Sequence, residues 1–352
     1  KRQLLNYLIA LTMADGDKER QADILIEDGR IAAIETEIEP PAGAKIVDAV
    51  GSIVLPGFVD THRHVWQTQL RTVATDWSLF DYFVRMRLGY STFYTADDAT
   101  GAHSAAEDAM YMAGGQTLIP VLKQGLAMPT DVVDLNRVGD LAGIQVTGDA
   151  VTIGAMTRHA AVGRSDEVKA AIPALAHLAS HIGDAQVRNR GTIGGSLANN
   201  DPAADYPAAA LALGADIVTD QRSIPADDYF VGMFETALEP AEIIREVRFP
   251  IPEKAGYVKF PNPASRYALV GVFVAKTAGG VRVAVTGAGQ DGVFRPAEVE
   301  AALSADFSAA ALDGVTVPAD DLMTDMHAAA DYRAHLIVVM AKRAVNQANG
   351  QG

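Results

Sequence analysis

Two glycine pairs constrain this chain more than any other feature: Gly114-Gly115 in "AGGQTLIP" and Gly194-Gly195 in "TIGGSLANN", each set before small or helix-compatible residues. Around the first, the sequence predicts a helix near Asp98 to Glu107, a short strand at Ala109 to Met112, a glycine turn and a second helix from Leu118. Glycines between a strand and a helix let backbone N–H groups converge on an anion, and the helix N-terminus adds partial positive charge. A diphosphate fits such a nest, and two nests in one module can grip two phosphates. Either pair alone reads equally as a turn, so the argument rests on there being two.

The first hundred residues have a different character. Two apolar runs, Ile24 to Ile26 and Arg30 to Ile34, flank Glu27-Asp28-Gly29. Asp-Gly between such runs signals a β-hairpin, because both turn positions need positive φ. Further β-rich runs over Lys45 to Val50 and Ile53 to Asp60 lead into Thr61-His62-Arg63-His64. On a strand, residues two apart share a side, so His62 and His64 can reach one metal ion while Arg63 faces away. Surface or core histidines are the other reading of that spacing.

Composition narrows the classes. At 352 residues, two or three domains are expected rather than one. No apolar run is long enough to cross a bilayer, so no membrane association is expected. The net charge of −15 opposes nucleic-acid binding, and the only basic candidate, Arg188-Asn189-Arg190, is too small to overcome it. The absence of cysteine excludes thiolate nucleophiles and any iron–sulfur cluster held by this chain, which would have to come from a partner. No basic-plus-apolar leader opens the sequence, which makes the cytoplasm the expected compartment.

Two resemblances organise these features. "ILIEDGRIAAI", "GSIVLPGFVDTHRHVWQTQLRT" and "DWSLFDYF" resemble the start of the amidohydrolase superfamily, over residues 1–97. That resemblance implies a small β-sandwich before a barrel, with His62 and His64 as ligands of a Zn or Fe ion. The sequence beyond Asp97 does not supply the rest of a barrel, so a β-rich segment without a complete barrel is expected. From about Asp98 to the C-terminus, "AGGQTLIP", "VTIGAMTRHAAV" and "RGTIGGSLANNDPAADYP" resemble the FAD-binding medium subunit of the molybdenum hydroxylases, the carbon monoxide dehydrogenase and xanthine dehydrogenase family. The family's opening strand with its Phe/Tyr pair is missing unless Phe93-Tyr94 supplies it.

The second resemblance implies an α+β fold. A two-subdomain FAD-binding domain would cover 98–252, and an α+β C-terminal domain 253–352, with its helix over Asp331 to Asn346. It also implies FAD held by Ala113, Gly114, Gly115, Gln116 and Thr117, and by Thr192, Ile193, Gly194, Gly195 and Ser196, through backbone and hydroxyl contacts to the diphosphate. Asp205 would contact the sugar portion, Ile244 would line the ring pocket, and Lys259 would stand near the ring, unless it is only a solvated surface lysine. The implied function is electron transfer: iron–sulfur clusters on a small partner subunit feed the flavin after a molybdenum-bearing large subunit oxidises the substrate, and an external acceptor takes the electrons. The alternative is a metal-dependent amidohydrolase or deaminase using His62 and His64.

Three features carry no expected role. Gly287 to Gly292 fits G-x-G-x-x-G, but Val293 to Pro296 cannot open a helix there, so a hairpin turn is expected. His177 and His181, four apart on a predicted helix, stand just before the second glycine pair and are read with it rather than as a metal site. His103, His159, His327 and His335 lack partners at suggestive spacing.

Overall fold

The computed structural model describes residues 2–11, 19–27, 30–48, 53–54, 95–104 and 108–351. The chain divides into two units, Lys1–His62 and Arg63–Gly352.

In the first unit, β1 (Arg2–Leu11), β2 (Glu19–Glu27), β3 (Arg30–Glu35), β4 (Lys45–Asp48) and β5 (Ile53–Val54) form one sheet in the order β3-β2-β1-β4, with β5 also on β1. β2 and β3 pair antiparallel with Glu27 opposite Arg30, the hairpin that Asp28-Gly29 predicts. β4 and β5 run parallel to β1. The expected strand over Lys45 to Val50 is described to Asp48, and that over Ile53 to Asp60 over its first two residues. Thr61 to His64, the stretch "DWSLFDYF" and Phe93-Tyr94 lie outside the described residues. Among the described residues no strands close into a barrel.

The first helix among the second unit's described residues is α1 (Ala96–Ser104), which starts before the expected Asp98. Thr95 and Asp98 explain the start. The Thr95 backbone N–H donates to Asp98 Oδ2 at 2.9 Å, and the Asp98 N–H donates to Thr95 Oγ1 at 3.4 Å, so the pair closes a capping box. Strand β6 (Ala109–Met112), helix α2 (Leu118–Lys123) and strand β7 (Asp131–Asp134), which is parallel to β6, then form a small βαβ unit. Its core joins Ala96, Ala99 and Ala102 to Val133, Leu135 and Leu141.

The next layer is a five-stranded sheet. β8 (Ile144–Thr147) and β9 (Ala150–Gly154) form one side. After them come the helices α3 (His159–Arg164), α4 (Asp166–Ala171), α5 (Pro173–His181), α6 (Ala185–Arg190), α7 (Ile193–Asn199) and α8 (Tyr206–Leu213). The chain returns through β10 (Asp216–Thr219), β11 (Ser223–Pro225), a helical turn, the hairpin of β12 (Phe230–Gly232) and β13 (Glu235–Thr236), and β14 (Ile244–Pro250). The sheet order is β11-β10-β14-β9-β8.

The remainder is an antiparallel meander of β15 (Lys254–Pro261), β16 (Ala268–Thr277), β17 (Gly280–Gly289) and β18 (Gly292–Phe294), followed by α9 (Ala297–Ala305) and α10 (Ala330–Ala348). The alternation along β16 shows why it is apolar from Ala268 to Ala275. Val270, Val272 and Val274 face one core together with Ile337 and Met340 of α10, while Phe273 and Ala275 face the other together with Leu175 of α5 and Leu211 of α8. A strand covered on both faces has no polar side to present. The G-x-G-x-x-G stretch is the β17–β18 connection, with Gly289 opposite Gly292, and α10 spans the helix expected at Asp331 to Asn346.

Candidate functional site

Both glycine stretches line one cleft of about 460 Å³, together with Met156, Asp205, Ile244 and Tyr267. They reach it differently. At the first, Gly115 turns the chain from β6 into α2 with φ +70°, a conformation that costs an L side chain about 1 kcal/mol or more. A Cβ on Gly114 would lie 2.2 Å from the Arg190 carbonyl oxygen, so only glycine allows this loop to touch the approach to the second stretch. The backbone N–H groups of Gly115, Gln116 and Thr117 have no acceptor among the described residues. They are the nest that an anion needs.

The second stretch is the first turn of α7 rather than a loop. Thr192 caps it, its Oγ1 accepting from Gly195 N–H at 3.1 Å. The N–H groups of Ile193, Gly194 and Ser196 donate to Thr157, Ala155 and Thr192 carbonyls at 3.2, 2.8 and 3.0 Å. What this stretch offers the cleft is close backbone approach and the Ser196 hydroxyl. Gly194 is required by packing, since a Cβ there would meet Ala155 Cβ at 2.6 Å. Ile193 is fully buried in the core of α5 and α8 and does not line the cleft.

Asp205 and Ile244 border the cleft, but Lys259 does not. Nor is Lys259 a solvated surface lysine. Its side chain is 7% exposed, and its ammonium donates to Asp205 Oδ1 at 2.9 Å and Oδ2 at 3.1 Å. Tyr257 also donates its hydroxyl to Asp205. Burial pushes the Asp205 carboxyl up, and Lys259 and Tyr257 hold back part of that rise. Lys259 thus stands behind the cleft wall, where it also lines a second cavity of about 500 Å³ with His177, His181 and Arg266. The His177 and His181 rings lie 4.0 Å apart. Among the described residues no three His, Asp or Glu side chains gather as a metal site, and His62 and His64 lie outside them.

Sequence reading missed several residues that shape the cleft. His159 lines it beneath the second stretch, where a Cβ on Gly191 would meet the His159 Nε2 at 2.5 Å. Burial drives its pKa down to about 4, helped by Arg158 and Arg188. Tyr111 crosses the cleft edge to donate to the Ala241 carbonyl at 2.9 Å, and burial pushes its hydroxyl up to about 12. Asn136 donates to the Ala113 carbonyl at 2.9 Å. The only available signal for Asn136 was the Asp134-x-Asn136 spacing, in which the Asp134 carboxylate accepts from the Asn136 N–H at 3.0 Å, a local turn with no chemical signature.

Sequence comparison covers the segment that holds both glycine stretches. The family described as "FAD binding domain in molybdopterin dehydrogenase" matches residues 86–252. The carbon monoxide dehydrogenase medium chain of Hydrogenophaga pseudoflava is 35% identical over 260 residues, covering 68% of this chain and 89% of that one. The chain belongs to this family of FAD-binding subunits. The nicotine 6-hydroxylase medium subunit of Paenarthrobacter nicotinovorans is 34% identical over 276 residues, covering 74% of this chain and 97% of its own. Among solved structures, carbon monoxide dehydrogenase from Hydrogenophaga pseudoflava aligns with a TM-score of 0.64 at 34% identity, over 73% of this chain and 95% of that one. A shorter likeness, 40% over 65 residues, links 18% of the chain to 13% of the dihydropyrimidinase of Dictyostelium discoideum. The family's cofactor is FAD, and the residues present fit it: positions where a Cβ has no room, N–H groups without acceptors, and an apolar wall ending at Ile244. Among the described residues no helix is long and apolar enough to cross a membrane.

Proposed function

We propose that this oxidoreductase subunit carries electrons within a cytoplasmic molybdenum hydroxylase complex, receiving them from an iron–sulfur small subunit and passing them to an external acceptor. A molybdenum-cofactor large subunit would oxidise the substrate. The observation that carries this reading is the meeting of both glycine stretches in one cleft, with the N–H groups of Gly115, Gln116 and Thr117 unpaired among the described residues. The absence of cysteine agrees with clusters held by a partner. The proposal divides the chain into an amidohydrolase-like segment over 1–97, an FAD-binding domain over 98–252 and a C-terminal domain over 253–352.

FAD, when bound, supplies the redox chemistry. The chain's residues hold and shape its surroundings. Ala113 to Thr117 present backbone N–H groups and the Thr117 hydroxyl to the diphosphate, and Thr192 to Ser196 add the Ser196 hydroxyl and a close-packed backbone. Ile193 serves from the core by fixing the first turn of α7. Asp205 closes the sugar end of the cleft, and Ile244 walls the ring pocket. Lys259 acts through Asp205, because its positive charge is committed to that carboxylate rather than to the ring.

The visible absorption spectrum of the purified protein, with the released chromophore identified by chromatography, tests the reading. FAD near one equivalent is expected. A colourless protein with stoichiometric zinc or iron would overturn it and return attention to His62 and His64.

A further inference from the structure

Gly114 touches the Arg190 carbonyl, yet van der Waals contact alone does not hold two loops in register. A pair of polar side chains completes the link. Asn136, just beyond β7, donates its Nδ2 to the Ala113 carbonyl of the first stretch at 2.9 Å. Its Oδ1 accepts from Arg158 Nη2. The other arm of the same guanidinium, Nη1, donates to the Arg190 carbonyl, two residues before Thr192. Arg158 also forms an isolated backbone bridge to Thr192 itself. The chain of contacts therefore runs from Ala113 through Asn136 and Arg158 to Arg190, from one glycine stretch to the other.

We propose that Asn136 and Arg158 are positioning residues that clamp the two glycine stretches at the spacing a diphosphate requires. The inference rests on the FAD reading of the cleft. Neither residue lines the cleft, so neither is a contact residue by direct reach. Arginine suits the task because its planar fork reaches two acceptors at once, Asn136 Oδ1 and the Arg190 carbonyl, where a lysine is a point donor. Asn136 suits it because its amide both donates and accepts, turning the link through one side chain. Burial and the neighbouring Arg190 lower the Arg158 pKa and Asp134 opposes them.

Full-length wild type, Arg158→Ala, Asn136→Ala and Arg158→Lys test the clamp. The readouts are the FAD dissociation constant, the ³¹P spectrum of bound FAD and the unfolding midpoint of the cofactor-free protein. Both alanine variants should bind FAD at least tenfold more weakly and displace the ³¹P resonances, while the bound flavin's visible spectrum stays as in wild type. Arg158→Lys should recover little of the loss. The clamp is overturned if the alanine variants bind FAD within twofold of wild type with unchanged ³¹P lines, or if Arg158→Lys matches wild type, which would make the role one of charge. If Arg158→Ala does not fold, Asn136→Ala carries the test, since it removes the bond to Ala113 while leaving the guanidinium in place. A wild type that takes up no FAD sinks the cofactor reading itself, and the clamp with it.

Discussion

The two glycine stretches look alike as sequence and differ as structure. Gly114 to Thr117 form an open turn with Gly115 at positive φ and a run of N–H groups without acceptors among the described residues, while Thr192 to Ser196 are a capped helix turn in which the N–H groups of Ile193 to Ser196 are satisfied within the protein. The same pair of residues thus answers two different needs. In the first stretch Gly115 is there for backbone conformation, and Gly114 because the Arg190 carbonyl leaves no room for a Cβ. In the second both glycines sit where neighbouring backbone and side chains crowd a Cβ. A glycine pair in a sequence reports that a side chain is unwelcome, and does not report why.

The largest expected effect separates those reasons within the first stretch. In Gly114→Ala the new Cβ meets the Arg190–Gly191 peptide, the Arg190 carbonyl oxygen at 2.2 Å and Gly191 Cα at 2.8 Å, and backbone there cannot step aside cheaply. Overpacking of this kind costs about 3 kcal/mol. Gly115→Ala meets only the tip of Ile119 at 2.6 Å, which a rotamer change relieves, leaving the positive-φ penalty of about 1 kcal/mol. Urea unfolding of the two variants should rank them in that order, with FAD binding abolished in the first. Equal losses would show that the contact between the stretches yields more readily than the structure implies.

The second prediction probes what lies beneath the second stretch. His159 has a folded pKa near 4 against an ordinary 6.5, so between those values the unfolded chain binds the proton and the folded chain does not. Stability therefore rises with pH across that window, and the contribution of the neutral ring, complete above about pH 6.5, is lost as the pH falls towards 4. The loss amounts to about 3 kcal/mol at most. Unfolding midpoints at pH 7 and pH 4.5 should fall further apart in wild type than in His159→Gln. Matching pH slopes would mean that the ring takes up protons in the folded state.

Much of this architecture was legible in the sequence, and the reasons it was or was not are physical. Asp28-Gly29 between apolar runs marks a hairpin because few residues tolerate its turn, and α10 is marked by apolar positions at helical spacing. The cleft was legible at its two glycine stretches and, through the family resemblance, at Asp205 and Ile244. Asn136 and Arg158 were invisible because their partners, two backbone carbonyls and each other, are remote in sequence, and any polar residue of suitable length could have been read there. Lys259 was placed beside the ring by its motif, but its burial with Asp205 and Tyr257 depends on β15 packing against the loop before α8, which no local pattern encodes.

A third prediction compares the two helix starts. Thr117 and Thr192 both stand at N-caps, but only Thr192 makes the side-chain bond. Thr192→Ala should cost about 1 kcal/mol of stability and Thr117→Ala close to nothing. A comparable loss at both positions would mean that the first helix is capped in solution and that its N–H groups are less free than they stand here.

A similarly small effect on stability is expected at Ser196, and it bears most directly on what the second stretch gives the cofactor. Its N–H is satisfied by the Thr192 carbonyl, and its hydroxyl borders the cleft with no partner among the described residues. Removing that hydroxyl breaks nothing in the cofactor-free protein, so Ser196→Ala should leave the unfolding midpoint within about 0.5 kcal/mol of wild type. If the hydroxyl donates to the diphosphate, FAD binding should weaken about tenfold, since a hydrogen bond to a charged group contributes about 1.5 kcal/mol or more. Titration of cofactor-free protein with FAD reads the second effect and urea unfolding the first. Unchanged FAD affinity would assign the second stretch a purely steric part in the site and leave the diphosphate to the first.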